Sequence, residues 1–196
     1  MSWMVLHVLG IMAYATTGAF IALEAGYSFA GVFVLGLTTS FGGAVVRNLI
    51  IGAPVSAVWD PSAITIVLVT LTLIILLPQR WTYHWKKWGV IFDSIGLASF
   101  ALQGALSAYH TYDQLGVILI SGMFTGLGGG MIRDLLAGRK PLALKEEIHA
   151  VLTLLCGLCV WLDWTNSMQF TVVVVVVTVL RILAIRYQWR INVPRR

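Results

Sequence analysis

The stretch GLTTSFGGAVVRNLIIG at residues 36–52 recurs in altered form as GMFTGLGGGMIRDLLAG at residues 122–138. Seven of the 17 aligned positions are identical, and they include two adjacent glycines and one arginine in each copy. The same spacing of 86 positions pairs Gly10 with Gly96, outside the quoted stretch. A match that extends into the surrounding sequence indicates an internal repeat rather than a chance similarity of two apolar segments.

The sequence around both copies is strongly apolar. The 196 residues are 59% hydrophobic and only 11% charged, with a mean hydropathy of +0.88, whereas about a quarter of the residues in soluble domains are charged. The apolar stretches run continuously over about 20 residues, the length of a helix that crosses a bilayer, whereas strands of a membrane barrel would alternate. We therefore predict an all-α integral membrane protein.

Seven apolar runs are separated by turn-forming or charged residues, and we predict each to be a transmembrane helix. The runs cover residues 3–24, 28–51, 61–78, 88–110, 115–137, 147–163 and 168–187. The first three form repeat 1 (3–78) and the next three form repeat 2 (88–163). The seventh helix (168–187) lies outside the repeats and precedes a basic cytoplasmic tail (188–196). All of them belong to one membrane domain, residues 1–196.

The number of crossings in each repeat decides how the two copies are related. Three is an odd number, so the second copy enters the membrane upside down, and a pseudo-two-fold axis in the membrane plane relates the two inverted repeats. Repeats of this kind place a pathway for a solute or ion at their interface, near the middle of the bilayer.

Positive charge is concentrated after the third run, after the fifth run and near the carboxyl terminus. Eleven of the thirteen Lys and Arg residues belong to these clusters: Arg80, Lys86, Lys87, Arg139, Lys140, Lys145, Arg181, Arg186, Arg190, Arg195 and Arg196. Seven crossings place all three clusters on one side, which the positive-inside rule makes cytoplasmic. We expect a cell inner (plasma) membrane, with the amino terminus outside and the carboxyl terminus in the cytoplasm. Anionic lipid is the expected partner of these residues, not nucleic acid.

Glycines cluster about two-thirds of the way along the second and fifth runs. Gly42 and Gly43 in one, and Gly128, Gly129 and Gly130 in the other, each lower helix propensity by about 1 kcal/mol relative to alanine, so we expect unwound or kinked helices. Exposed carbonyls would suit a partly dehydrated cation, together with the hydroxyls of Thr38, Thr39, Ser40 and Thr125, and exposed amides would suit a carboxylate equally well. The alternative is that glycines only let two helices approach closely.

Arg47 and Arg133 occupy equivalent positions in the two repeats, and we expect them to be the basic residues inside the helices. An arginine in the membrane costs about 3 kcal/mol or more unless it is paired or hydrated. Asp134 projects about 100° away from Arg133 on an ideal helix, so we expect a partner on another helix, with Asp93 the first candidate. The counterpart of Asp93 in repeat 1 is His7. Alternatively, both arginines are structural struts that reach carbonyls or the interface.

No combination of residues indicates an enzyme, a metal site or a resident cofactor. Cys156 and Cys159 share one face of the sixth run, where thiols are ordinary packing material. The four histidines fall in separate segments, and the glycine-rich stretch lacks the lysine and the preceding strand of a phosphate-binding loop. We therefore predict a non-enzymatic protein without a cofactor.

Residues 128–134 and 93–104 resemble two motifs of the bacterial homologues of the trimeric intracellular cation (TRIC) channels. The resemblance covers nearly the whole chain. It implies seven transmembrane helices, a homotrimer with one pore in each protomer, kinked second and fifth helices that line this pore, and permeation by potassium and sodium. Repeat 1 departs from the pattern, since Asn48 and Ala44 replace the expected aspartate and third glycine, and His7 stands where an acidic residue often stands.

The leading functional hypothesis is a monovalent cation channel, in which K⁺ or Na⁺ passes through without a resident metal. The alternative is a secondary transporter of glycine or a similar small zwitterion, because bacterial proteins of this kind are also described as glycine transporters. The predicted pore residues are Thr38, Thr39, Ser40, Gly42, Gly43, Arg47, Asp93, Thr125, Gly128, Gly129, Gly130, Arg133 and Asp134.

Overall fold

The computed structural model of the chain describes residues 3–77, 85–112, 114–187 and 189. Within them are eight α-helices: α1 Trp3–Glu24, α2 Phe29–Ile51, α3 Pro61–Leu76, α4 Trp85–Tyr112, α5 Leu115–Leu136, α6 Leu142–Lys145, α7 Ile148–Trp161 and α8 Ser167–Arg186. The seven longer ones begin and end within three residues of the seven apolar runs. A short 3-10 helix, Val55–Val58, precedes α3. The predicted basic tail (188–196) and Arg80 fall on residues outside this description, except for Trp189.

Five of the described helices, α1, α2, α4, α5 and α8, are long and apolar enough to cross a membrane. The apolar helices α3 and α7 have only 16 and 14 residues. At about 1.5 Å per residue they are shorter than the roughly 30 Å of a hydrocarbon core. The chain is therefore an all-helical, multi-pass membrane protein with five clear spans.

Helices α2 and α5 end in the same way. Gly52 and Gly138, 86 positions apart, both adopt φ of 68°, a left-handed conformation that glycine enters without a steric cost. The amide of the next residue then reaches back five positions, from Ala53 to Asn48 O over 2.9 Å and from Arg139 to Asp134 O over 2.8 Å. This capping hydrogen bond satisfies a carbonyl that the helix end would otherwise leave free.

Asp60 caps the beginning of α3. Its side chain accepts hydrogen bonds from the Ser62 hydroxyl and, over 2.9 Å, from the Ala63 amide. Pro61 follows at the first helical position, where no amide donor is needed. The hydrogen bonds to the carboxylate lower the pKa of Asp60 below its ordinary value.

Replacement of Asp60 should therefore destabilise the protein in a pH-dependent way. A lowered folded-state pKa contributes stability above the pKa of the unfolded chain, about 4, and this stability is lost as the pH falls through the folded-state value. Asp60→Ala should lower the unfolding temperature in detergent at pH 7, and the difference from the parent should shrink below pH 4. A constant difference from pH 7 to pH 3 would contradict this origin.

Of the two forms expected for the glycine-rich helices, the unwound one is wrong, because α2 and α5 continue as α-helix through all five glycines, and a kink stays a prediction. A Cβ placed on Gly43 would collide with the carbonyl oxygen of Thr125, and one on Gly129 would collide with that of Thr39. The glycines thus let α2 and α5 cross with their backbones in direct contact, as small residues do between membrane helices. The alternative interpretation, that the glycines let two helices approach closely, is therefore confirmed at Gly43 and Gly129.

Many contacts between the two repeats are reciprocal under the spacing of 86 positions. Gly43 faces Thr125, and their counterparts Gly129 and Thr39 face each other in turn. Within each repeat, Gly18 packs on Thr39 just as its counterpart Gly104 packs on Thr125. Tyr14 and Phe100, themselves 86 positions apart, pack with ring centroids 5.0 Å apart and their planes tilted by 44°. The contacts across the interface between the repeats are therefore matched in pairs.

Candidate functional site

Arg133 of α5 lies at the centre of a buried ionic cluster. Its Nη1 is 2.6 Å from Asp93 Oδ1 on α4 and donates to Thr17 Oγ1 on α1 over 3.1 Å. Only 2% of Arg133 is exposed. The predicted cross-helix partner Asp93 is confirmed, and α1, α4 and α5 are joined at one point.

Asp134 also pairs with Arg133, so the expectation that neighbours on a helix would not form a salt bridge is wrong. Arg133 Nε and Nη2 each lie 2.9 Å from Asp134 Oδ1. The reason is the length of the arginine side chain. Although the Cβ atoms of Arg133 and Asp134 point in different directions, the long side chain folds back so that the guanidinium reaches the neighbouring carboxylate. The other oxygen, Asp134 Oδ2, accepts the amide of Leu142 over 3.0 Å.

Arg181 and His149 belong to the site although the sequence does not predict either of them there. The sequence places Arg181 in the cytoplasmic basic cluster, and the prediction that Arg47 and Arg133 are the basic residues inside the helices is wrong. Arg181 lies within α8, is 2% exposed and donates through Nη2 to Asp93 Oδ2. The available signal was its position five residues before the end of α8, with apolar neighbours on both sides.

His149 of α7 is the other contact of Arg181 Nη2, with its Nε2 at 2.6 Å. A guanidinium carries only donors, so Nε2 of His149 must be the unprotonated acceptor. The proton of the neutral ring then sits on Nδ1, which lies 3.2 Å from the carbonyl oxygen of Glu146. The contact with Arg181 thus selects one tautomer of His149. Asp93, Arg133, Asp134, His149 and Arg181 are called the Asp93 cluster below.

Arg181 is held through a single nitrogen. Its Nε and Nη1 are buried, and neither has a hydrogen-bond partner among the described residues. Asp93 therefore shares its two oxygens between two arginines, one with every nitrogen engaged and one with two nitrogens free of partners. The formal charges of the cluster balance, with two arginines against two aspartates and a neutral histidine.

A cavity of about 330 Å³, called the vestibule here, lies over the Asp93 cluster. It is bounded by residues at the ends of α1, α5 and α8 and at the start of α4. The side chains of Glu24 and Glu146 are 33% and 37% exposed and that of Asp93 is 14% exposed, whereas those of Arg133 and Arg181 are 3% and 2% exposed. Arg133 and Arg181 therefore lie at the buried end of the vestibule. Glu24 and Glu146 lie nearer the water.

Arg139 is the exposed basic residue of the vestibule lining, and its Nη2 lies 3.0 Å from Glu24 Oε2. A pair this exposed contributes at most about 1 kcal/mol to stability. Over the whole lining, three carboxylates balance three guanidiniums. Of the charged side chains that are about a third or more exposed, two are carboxylates, Glu24 and Glu146, and one is the guanidinium of Arg139, so the exposed charge favours cations.

The counterparts in repeat 1 form no ion pair. Arg47 Nε donates to Asn48 Oδ1 over 3.0 Å, and no carboxylate among the described residues lies within 4 Å of its nitrogens. His7 Nδ1 lies 2.8 Å from Gln103 Oε1. Asn48 Nδ2 donates to the carbonyl of Pro54 over 2.8 Å. Both positions that are acidic in repeat 2 are neutral here.

The four predicted hydroxyls do not line the vestibule. Thr38, Thr39, Ser40 and Thr125 each donate to the carbonyl four residues earlier, over 2.5 to 2.9 Å. Apart from Thr38 they are buried, at the crossing of α2 and α5. Of the thirteen predicted pore residues, the structure brings Asp93 and Arg133 to the vestibule, while the role of the others stays a prediction.

The model of the family described as "Glycine transporter" matches the chain twice, over residues 4–79 and 90–165. The UPF0126 membrane protein YvgT of Bacillus subtilis is 47% identical over 97% of this chain and 96% of its own length. The UPF0126 inner membrane protein YadS of Escherichia coli K12 is 31% identical over 96% of this chain and 93% of its own length.

Solved structures of TRIC channels share the fold. A structure from a study of conductance through TRIC cation channels has a TM-score of 0.83 and 30% identity, covering 100% of this chain and 98% of that one. A TRIC trimeric intracellular cation channel orthologue from Rhodobacter sphaeroides has a TM-score of 0.80 and 26% identity, covering 95% and 98%.

These observations define the class of the protein as a multi-pass helical membrane protein of the TRIC channel fold. It has two similar units that meet at glycines, and an ionic cluster beneath a vestibule. Similarity over the full length to trimeric cation channels supports a cation channel. The chain belongs to the glycine transporter family, alongside the bacterial UPF0126 membrane proteins.

Proposed function

We propose that the chain is a monovalent cation channel that conducts K⁺ and Na⁺, assembled as a homotrimer with one pore in each protomer. The observation that carries the proposal is the vestibule, whose most exposed charged side chains are two glutamates, Glu24 and Glu146, and one arginine, Arg139. The full-length similarity to TRIC cation channels supports the same class of transport. The same similarity to channels favours a non-enzymatic protein without a resident cofactor.

The proposed topology has seven crossings, with α3 and α7 as short spans and α6 in the connection between α5 and α7. The two units of three crossings run in opposite directions, and α8 lies outside them. The reciprocal contacts between equivalent residues support a pseudo-two-fold relation. The positive-inside rule then puts the vestibule on the cytoplasmic side of a bacterial plasma membrane, with the amino terminus outside and the basic clusters against anionic lipid.

The proposed pore follows the interface of α2 and α5, from the vestibule past the Asp93 cluster towards Arg47. The direct contact between the two helices leaves little room for an ion. In this proposal the structure represents the closed state of the pore, which opens when the Asp93 cluster rearranges. Arg181, with two unpartnered nitrogens, is the member of that cluster with the fewest bonds to lose.

A glycine transporter is the second candidate, favoured by the description of the matching family. The vestibule carries both signs of charge, with Arg139 beside Glu24, as a zwitterion requires. A carrier also needs two alternating states of one site, and inverted repeats supply them.

The test is flux through the purified protein in liposomes. A potassium gradient read with a potential-sensitive dye should dissipate without saturation, and radiolabelled glycine should show no counterflow. Glu24→Gln and Glu146→Gln together should reduce the potassium flux on the order of 3- to 10-fold at low ionic strength and less at high salt. Lys140→Gln, an exposed change outside the vestibule lining, is the control.

Saturable glycine counterflow with no more potassium leak than empty liposomes would replace the channel with the carrier. Equal potassium flux in the parent and the double glutamine variant at low salt would remove the vestibule from the conduction path.

A further inference from the structure

Arg47 lacks the partners that hold its counterpart. Arg133 is held by Asp93, Asp134 and Thr17, whereas Arg47 has one hydrogen bond within the described part of the chain, to the neutral Asn48. The missing bonds leave a half-buried guanidinium whose charge is not neutralised nearby. A charge in this environment is costly unless a partner is supplied.

The repeat spacing gives His7 the position relative to Arg47 that Asp93 has relative to Arg133, and the packing of α1 against α2 agrees with this. Ser40 Oγ lies 3.3 Å from the carbonyl of Ile11, which sets the register of the two antiparallel helices. His7 is one turn before Ile11, so it lies level with the residue one turn after Ser40. Arg47 lies three residues, or less than one turn, beyond that level on α2. Asp93 and Arg133 have the same relation in repeat 2, where the arginine reaches the carboxylate.

Gln103 of α4, which contacts His7, has a buried amide donor without a hydrogen-bond acceptor among the described residues. Gln103 is 1% exposed, its Oε1 is engaged by His7, and its Nε2 has no hydrogen-bond partner among the described residues. Its counterpart in the other repeat is Thr17, which accepts a bond from Arg133. A buried amide without an acceptor costs about 1–3 kcal/mol, so an acceptor is missing from this site as well.

We propose that Arg47, Gln103 and His7 form a binding site for the carboxylate group of a small solute, which takes the place that Asp93 occupies in repeat 2. The Arg47 guanidinium supplies the charge and two free nitrogens, and the Gln103 amide supplies a neutral donor. A carboxylate matches this arrangement because its two oxygens accept bonds from a guanidinium fork and from a neighbouring donor at once. The site does not depend on cation conduction by the chain.

Nearby polar groups are already used elsewhere. The Asp60 carboxylate caps α3 through Ser62 and Ala63. Asn48 donates its amide to the Pro54 carbonyl, which explains why asparagine stands where repeat 2 has an aspartate. The equivalent Asp134 accepts a backbone amide instead. The first repeat therefore cannot neutralise Arg47 from within by the route that repeat 2 uses.

Thermal unfolding of the full chain in detergent tests the site, because a ligand that binds only the folded state stabilises it by RT ln(1 + [L]/Kd) and so raises the unfolding temperature. The ligands are glycine, acetate, glycinamide and chloride, with total ionic strength held constant. Glycine and acetate should raise the temperature according to this relation, which gives an apparent Kd for each. Glycinamide, which has the ammonium group but no carboxylate, should not.

Two variants act on the site in opposite ways. Arg47→Gln removes the charge, and His7→Asp installs the carboxylate that repeat 2 has at this position. Both should weaken the apparent affinity for acetate by about tenfold or more, the effect of losing one charged hydrogen bond. Lys140→Gln should bind like the parent. If Arg47→Gln does not fold, His7→Asp retains the test, because it adds an ion pair and removes none.

Several outcomes would overturn the proposal. These are no rise in the unfolding temperature of the parent with acetate or glycine, unchanged affinity in both Arg47→Gln and His7→Asp, and equal effects of glycine and glycinamide. Chloride competing as well as acetate would overturn the assignment to a carboxylate. None of these outcomes depends on potassium flux, so the test of this binding site is independent of the test of the channel proposal.

Discussion

Asp93→Asn should destabilise the protein by about 3–5 kcal/mol, the cost of leaving a buried charge without its partner. The substitution leaves Arg133 and Arg181, both 2% exposed, with Asp134 as the single remaining carboxylate of the cluster. The side chains keep nearly the same shape, so the loss reports charge rather than packing. The measurement is unfolding of the purified protein in a graded detergent or denaturant series.

Arg181→Met is the partner substitution that tests whether Arg181 and Asp93 are energetically coupled. Alone, it leaves an excess carboxylate, but Asp93 borders the vestibule and is reached by water, so the loss should be smaller than for Asp93→Asn. Combined with Asp93→Asn, it restores charge balance between Arg133 and Asp134. The double variant should therefore be more stable than Asp93→Asn, a coupling that a double-mutant cycle detects. Additive losses would show that Arg181 and Asp93 are not energetically paired.

Gly43→Ala and Gly129→Ala should each destabilise the protein by about 1–3 kcal/mol or more, the cost of overpacking a close contact. In both cases the new methyl group meets a backbone carbonyl, of Thr125 or of Thr39, which cannot rotate away. The helices must separate instead. The double variant should lose less than the sum, because both methyl groups push apart the same crossing.

Gly130→Ala is the control within the same glycine triplet. Its Cβ would meet only the end of the Arg133 side chain, at 3.7 Å, an ordinary contact. Alanine should then stabilise α5 by up to about 1 kcal/mol through its higher helix propensity. Equal destabilisation by Gly130→Ala and Gly129→Ala would mean that the glycines act through helix propensity rather than through the crossing. Gly129→Leu, a larger change at the crossing, should disrupt the fold and not only the flux.

The pairing of Asp93 with Arg133 was predictable because two arginines at equivalent places in apolar runs must have partners. The search was then limited to the few acidic residues inside the membrane. The pairing with Asp134 was rejected on the angle between neighbouring Cβ atoms, which ignores the reach of a long side chain. Arg181 was missed because a charge near a helix end is compatible with both snorkelling and burial, and local sequence does not distinguish them.

The sequence by itself determined that the chain is a helical membrane protein, where its seven longer helices begin and end to within three residues, and that two units repeat at a spacing of 86 residues. These properties follow from apolar length, capping residues and identity between copies, all of which are local or periodic. Only the tertiary structure decided that the glycines join two continuous helices, that Arg181 shares Asp93 with Arg133, and that these two arginines lie buried while Glu24 and Glu146 are exposed in the vestibule. These features depend on which faces of distant helices meet, and an apolar run in lipid carries little amphipathic pattern to indicate its facing surface.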